Sequence, residues 1–405
     1  MNDRFEIPGR LKNTSLALIA IGVLALIGGI ATLLMGHIDV DRARFWAVLL
    51  HDSVFFTLIT TVSIFVQAAA SLAQGGWIVA YRRVPEAIGA NVWIFGTIAA
   101  VVMFLIVFTF KDANGINTIY EWVTPGKDKI LLGKSAFLNK GMFVGFTLVI
   151  MGLWAFFGRK FRAMSIAQES APKNDTKNYW KVFRLSGVFL FVYALSQMST
   201  APWLWIMSVQ PHWYSTLFSW YTFASAFVSG MSLILLWVVY LKNHGNLKLV
   251  TIEHMHDLGK FMFAFSIFWT YLWFAQYMLI WYANIPDETV YFKLRQQGPY
   301  SVIFYANFII NFCMPILIIM SRPSKRNYFT LTFMAMFIIF GHWLDFFQMI
   351  MPGPLKEHWH INWYEIGIFM GFAGILIYAV SNTLTKSSLV PENNLLLKET
   401  VVHLS

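Results

Sequence analysis

The chain has 405 residues, 58% of them hydrophobic and only 12% charged, with a formal net charge of +10. A soluble domain carries about 25% charged residues, so the composition excludes a water-soluble globular enzyme and points to an all-α polytopic membrane protein. The lone cysteine, Cys313, excludes disulfides within the chain and cysteine-ligated zinc or iron–sulfur sites, which need several thiolates. The positive balance does not call for nucleic acid, because basic residues crowd the loops of membrane proteins and set their orientation.

Ten apolar segments follow in chain order, near 16–36, 46–71, 88–110, 136–157, 183–209, 217–241, 258–283, 300–320, 328–350 and 363–383. Each is long enough to cross a bilayer core of about 30 Å as a helix, and a helix satisfies its own backbone hydrogen bonds in lipid. The charged N-terminus enters the first segment without a small-residue cleavage site, so that segment reads as a retained span, although Gly28 and Gly29 weaken it. An even number of spans puts both termini on one side. Lys and Arg are about twice as frequent on that side as in the opposite loops, which makes it the cytoplasmic side.

The two longest loops run over 111–135 and 158–182. The second, GRKFRAMSIAQESAPKNDTKNYWK, is polar and basic and reads as a linker between two groups of helices. Residues 1–45 then form a cytoplasmic N-terminus and a flanking helix. Residues 46–210 form a first four-helix bundle, 211–350 a second, and 351–405 a flanking tenth helix with a cytoplasmic tail. Trp46 and Trp220 each precede a Ser/Thr-rich helix, and each such helix is followed by a short loop and an acidic residue, Glu86 or Asp257. An internal duplication would account for this, as would chance.

Few residues can carry chemistry. Span two starts at the outer face with His51 and Asp52, and Ser53, Thr57, Thr60, Gln67 and Ser71 share one face behind them. Such a stripe lines a hydrated proton path, or packs one helix closely on another. The similar run Thr222, Ser225, Ser229, Gly230 and Ser232 in span six reads as packing. His342 and Asp345 lie one turn apart in the outer half of span nine. A charged Asp there costs on the order of 2.5–3.5 kcal/mol on insertion scales, and His342 is the nearest group to offset it. A His that accepts a hydroxyl proton beside a carboxylate that passes it on suits quinol oxidation; a buried Asp–His hydrogen bond is the structural alternative.

On the inner side, Glu253, His254, His256, Asp257 and Lys260 gather at the start of span seven. Asp257 there suits the helix dipole, and the alternative is the mouth of a proton path. Arg82, Arg83 and Glu86 hold the corresponding place before span three, where positive-inside anchoring accounts for the arginines. Only His51 and His342 are deep enough for a haem; His37, His212, His244, His358 and His360 fall in loops. No phosphate loop, nucleophile motif or dinucleotide fingerprint is present. Trp and Tyr near the span ends form interfacial belts in contact with phospholipids, and such residues also suit a quinone.

The strings SWYTFASAFVSGMSLILLW and HDLGKFMFAFSIFWTYLWFAQYMLIWYANIPDETVYF resemble the ActF subunit family of bacterial alternative complex III. The chain is more distantly similar to NrfD/PsrC-type quinone-interacting membrane subunits. FWAVLLHDSVFF and GGWIVAYRRVPEAIG carry the same resemblance, which covers about 45 to 350. It implies a membrane subunit of a respiratory quinol:electron-acceptor oxidoreductase in a bacterial cytoplasmic membrane. The partners it implies are an ActC-like paralogue, an iron–sulfur subunit and c-type cytochromes. Haem c and iron–sulfur clusters then belong to partner subunits, and menaquinol binds nearby, generally in the ActC-like subunit. The polar membrane positions His342, Asp345, His51, Asp52, Thr57, Gln67, His256, Asp257 and Lys260 are the candidates for proton movement. A different class of function is a self-sufficient proton- or cation-coupled carrier, which builds its site on helices broken at mid-membrane; Pro202 in span five and Pro315 in span eight are the internal prolines.

Overall fold

The computed structural model describes residues 4–35, 39–170, 172, 176–358 and 361–403, and among them every regular element is helical. Ten helices are long and apolar enough to cross a membrane: Gly9–Leu33, Val40–Leu72, Arg83–Phe108, Lys140–Glu169, Thr176–Val209, Leu217–Asn243, Ile252–Ala283, Gly298–Ile319, Tyr328–Ile350 and Trp363–Leu384. These are spans one to ten. Several start earlier or end later than hydropathy suggests, because polar caps, not apolar content, set helix ends. Span seven begins after Thr251, whose hydroxyl and N–H both meet Nδ1 of His254, at 2.8 and 3.1 Å. Span nine begins after Asn327, which accepts from the Thr330 N–H, and span ten after Asn362 with Glu365 as its reciprocal partner. Span four runs on to Glu169, so most of the expected basic linker is helix.

Spans two to five pack as one group and spans six to nine as another. Spans two and six are buried along most of their length and meet at the centre. Gly230 permits this approach: a Cβ there would lie 2.6 Å from Val62. Spans one and ten pair antiparallel beside spans two and three. Gly22 and Gly371 face each other in that pair, Gly28 lies on Trp363 and Gly29 on Phe45. The glycines expected to weaken span one are therefore its contact points, since small residues let backbones approach in lipid.

Both internal prolines sit beside π-turns. Span five has them at Ser196–Thr200 and Pro202–Ile206, and span eight at Ile309–Cys313, just ahead of Pro315. The wider turn absorbs the missing proline N–H, and the chain stays helical through both positions.

The tail crosses the end of the molecule that carries the termini. Asn393 donates to the Glu169 carbonyl at 2.7 Å. Thr400 Oγ1 lies 3.0 Å from Nε2 of His254, and His403 Nε2 lies 2.5 Å from Asp257 Oδ2. His37 and His360 lie outside the described residues.

Candidate functional site

Span nine organises the interior by presenting different side chains to its two neighbours. Towards spans six and seven it turns His342 and Asp345, both fully buried. Asp345 accepts from the Tyr221 hydroxyl, from Ser225 Oγ at 2.8 Å and from the Trp269 indole at 2.9 Å. Three donors match the acceptor-only chemistry of a carboxylate. The His342 ring nitrogen Nδ1 is 3.8 Å from the carboxylate but 2.9 Å from Ser225 Oγ. The expected direct Asp–His contact is thus replaced by a hydroxyl bridge. Because Ser225 has one proton and gives it to Asp345, Nδ1 of His342 must donate to Ser225. That leaves Nε2 of His342 as a bare acceptor, and it has no hydrogen-bond partner. Trp269 packs edge-on against the imidazole, with ring centroids 5.3 Å apart.

Towards span two, span nine turns Trp343. Its carbonyl accepts from Nε2 of His51 at 2.9 Å, and its indole donates to Asp52 at 2.7 Å. Nδ1 of His51 lies 3.6 Å from Asp52, and both Nδ1 and Asp52 Oδ2 are without hydrogen-bond partners. The 3.6 Å approach is to Oδ1, the oxygen that accepts from Trp343, so the residue pair carries one bare acceptor on each member. His51 and Asp52 do not open span two at a membrane face. The helix begins about a third of its length earlier, and both groups are fully buried at the level of Trp343.

The stripe on span two does not line an open path. Thr57 donates to the Ser53 carbonyl at 2.7 Å, Thr60 to Phe56 at 2.8 Å and Gln67 to Ser63 at 3.1 Å. Both hydroxyls are spent on their own helix, and Gln67 gives it one amide N–H while its Oε1 has no hydrogen-bond partner. The residues are buried and serve packing. Conversely, Ser225, expected to pack, touches the buried acid.

The group at the start of span seven is arranged differently from the expectation. Because Thr251 and His254 start the helix, Asp257 lies in its second turn, beyond the reach of a dipole argument confined to the first. It pairs instead with Lys260 at 2.6 Å and with His403. His256 turns towards Glu253, 3.9 Å away. Arg83 is not a membrane-surface anchor. It is fully buried, bonded to Glu86 at 2.7 Å, to Ser165 at 2.9 Å and to Glu169. Among the described residues no hydrogen bond joins this end to the His342–Asp345 cluster.

Sequence reasoning missed four participants: Tyr221, Trp269, Trp343 and Arg295. The first three look like belt or lipid-facing aromatics by composition. The usable signal was their register, since Tyr221 and Ser225 are four apart and share a helix face. Arg295 looks like a loop cation but is 1% exposed. Among the described residues no group of three His, Cys, Asp or Glu side chains is placed to hold a metal ion. No protein-family model matches the chain, and no curated protein matches it.

Proposed function

We propose that this protein is an integral membrane subunit of a respiratory quinol:electron-acceptor oxidoreductase complex, and that it moves protons through the His342–Ser225–Asp345 bridge. The observation that carries the proton part is the bridge itself: a buried carboxylate and a buried imidazole share one hydroxyl inside a ten-span protein. A proton arriving at the bare Nε2 of His342 allows the Nδ1 proton to pass to Ser225 Oγ as the Ser225 proton passes to Asp345. No charge is left stranded on the hydroxyl. The sequence resemblance to the ActF family supports the respiratory part.

On this reading the chain lies in a bacterial cytoplasmic membrane with both termini cytoplasmic. It assembles with an ActC-like paralogue, an iron–sulfur subunit and c-type cytochromes. Those partners hold the haem c and iron–sulfur clusters, quinol gives up its electrons and protons near the ActC-like subunit, and phospholipids surround the spans. The proline positions support kinked, continuous helices over the half-helices of a carrier. Extraction in mild detergent tests the assembly: haem-bearing partners should co-purify, and a chain that emerges alone refutes it. Asp345→Asn tests the proton role. Proton release coupled to quinol turnover should fall by about 10²–10⁴-fold, the range of a lost acid–base group, and unchanged release refutes it.

A further inference from the structure

At the end opposite the termini the molecule opens into a cavity of about 840 Å³, whose walls include Gln210, Tyr291 and Tyr300. Behind Tyr291 lies a second, much smaller cavity of about 10 Å³, lined by Tyr221, Gln276, Arg295 and Gln348 among others. That is close to the space one water molecule needs. Tyr221, on its far wall, donates to Asp345. A short polar lead thus runs from the open vestibule to the buried acid.

Arg295 sits across this lead. Its guanidinium donates to the carbonyls of Gln348 at 2.9 Å, Tyr291 at 2.8 Å and Met349 at 3.4 Å, and to Oε1 of Gln210 at 3.0 Å, and it lies 3.3 Å from the centre of the Tyr291 ring. Every partner is neutral. Among the described residues no carboxylate lies within ion-pairing distance of it, so a full positive charge, always present on arginine, remains uncompensated in a low-dielectric wall. A carboxylate reachable from an aqueous vestibule attracts metal cations, which are far more abundant in solution than protons.

We propose that Arg295 is a specificity-determining charge barrier that keeps the cations of the vestibule from Asp345. A fixed arginine at a constriction repels every cation by its field, protons included, so metal ions are held out and a proton crosses only by hopping along the water and hydroxyl groups that remain in place. The inference rests on the reading of Asp345 as a proton-carrying group, but its test needs no activity.

With Cys313 replaced by serine, Gln276→Cys puts a thiol on the wall of the smaller cavity. Gln297→Cys, on the exposed vestibule rim, gives the reference rate. Silver ion and hydrogen peroxide are thiol-reactive probes close to water in size, one cationic and one neutral, and mass spectrometry reads silver attachment and sulfenic acid in purified protein. Relative to the rim, hydrogen peroxide should modify Gln276→Cys about tenfold or more faster than silver, the lower range of electrostatic focusing. Adding Arg295→Gln should bring that ratio near one, and Arg295→Lys should preserve it. Equal relative rates with Arg295 in place overturn the barrier, whether or not Arg295→Gln folds. Failure of both probes to reach the thiol overturns the lead itself. The Asp345→Asn measurement decides the proton reading separately.

Discussion

Ser225 Oγ lies 2.9 Å from Nδ1 of His342 and 2.8 Å from the Asp345 carboxylate, so two groups one turn apart on span nine are joined by a residue of span six. Neither group reaches the other within hydrogen-bonding distance. The hydroxyl therefore fixes the tautomer of His342 and one carboxylate oxygen at once. Ser225→Ala strands the Nδ1 donor of His342 in the interior and removes one of the two donors to Asp345 Oδ2, and should destabilise the protein by about 1–3 kcal/mol. It should also slow proton release, while Ser225→Thr restores both. Thermal unfolding in detergent beside proton-release rates checks this; an Ala variant that matches the parent on both counts refutes the bridge.

Arg44 and Glu365 form a buried ion pair at 2.6 Å between spans two and ten. Arg44 also lies over the Tyr364 ring, 5.2 Å from its centre. Arg44→Met leaves Glu365 without its cation and should cost about 3–5 kcal/mol, whereas Arg44→Met with Glu365→Gln should recover most of that loss. Denaturant or thermal unfolding of the three variants measures the difference. A double variant no better than the single would show that the pair is not a unit.

The pairing of spans one and ten depends on backbone contact at Gly22 and Gly371. A Cβ on Gly371 would lie 2.7 Å from the Gly22 Cα, where only the backbone can yield. Gly371→Leu should force the helices apart at about 1–3 kcal/mol, the range for overpacking. Cross-linking between cysteines placed at Ile21 and Met370 should fall with it. Undiminished cross-linking would count against the close approach.

Outside the spans, Asp128 begins a short helix, Lys129–Gly133, and also bonds His212 at 2.6 Å. The His212 contact, with the N–H groups of Leu131 and Ile130, holds the Asp128 carboxyl below the ordinary carboxylate range. A carboxyl lowered in the folded state stabilises above its unfolded pKa and loses that contribution as pH falls through the folded value. Amide protection over 130–133, read as exchange relative to the intrinsic rate at each pH, should therefore hold at neutral pH and fall only in acid below the ordinary carboxylate range. Asp128→Ala should lack that protection at every pH.

The tail acts as a strap over the start of span seven. Thr400 bonds His254, His403 bonds Asp257, and Glu399 lies against Gly76. Truncation after Val390 should speed labelling of a cysteine placed at His256, which is 4% exposed, by water-soluble thiol reagents in a Cys313→Ser background. Identical labelling of full-length and truncated chains would show that the strap shields nothing.

Apolar patterning along the chain is enough to make this a ten-span helical membrane protein and to single out His342 and Asp345. Apolar segments of bilayer length and a charged residue inside one of them are one-dimensional signals, fixed by the cost of exposing backbone and charge to lipid. The span ends were less legible, because Thr251, Asn327 and Asn362 set them by single hydrogen bonds. Which polar residues meet follows from the packing of the helices. Thr57 and Thr60 of span two and Ser225 of span six are the same kind of residue on the same kind of helix. Thr57 and Thr60 bond back to carbonyls of their own helix, Thr61 also reaches Gln197 of span five, and Ser225 bonds Asp345 because spans six and nine pack in one register. A hydroxyl's partner is chosen by what lies across the helix interface, and that geometry is written in no single segment.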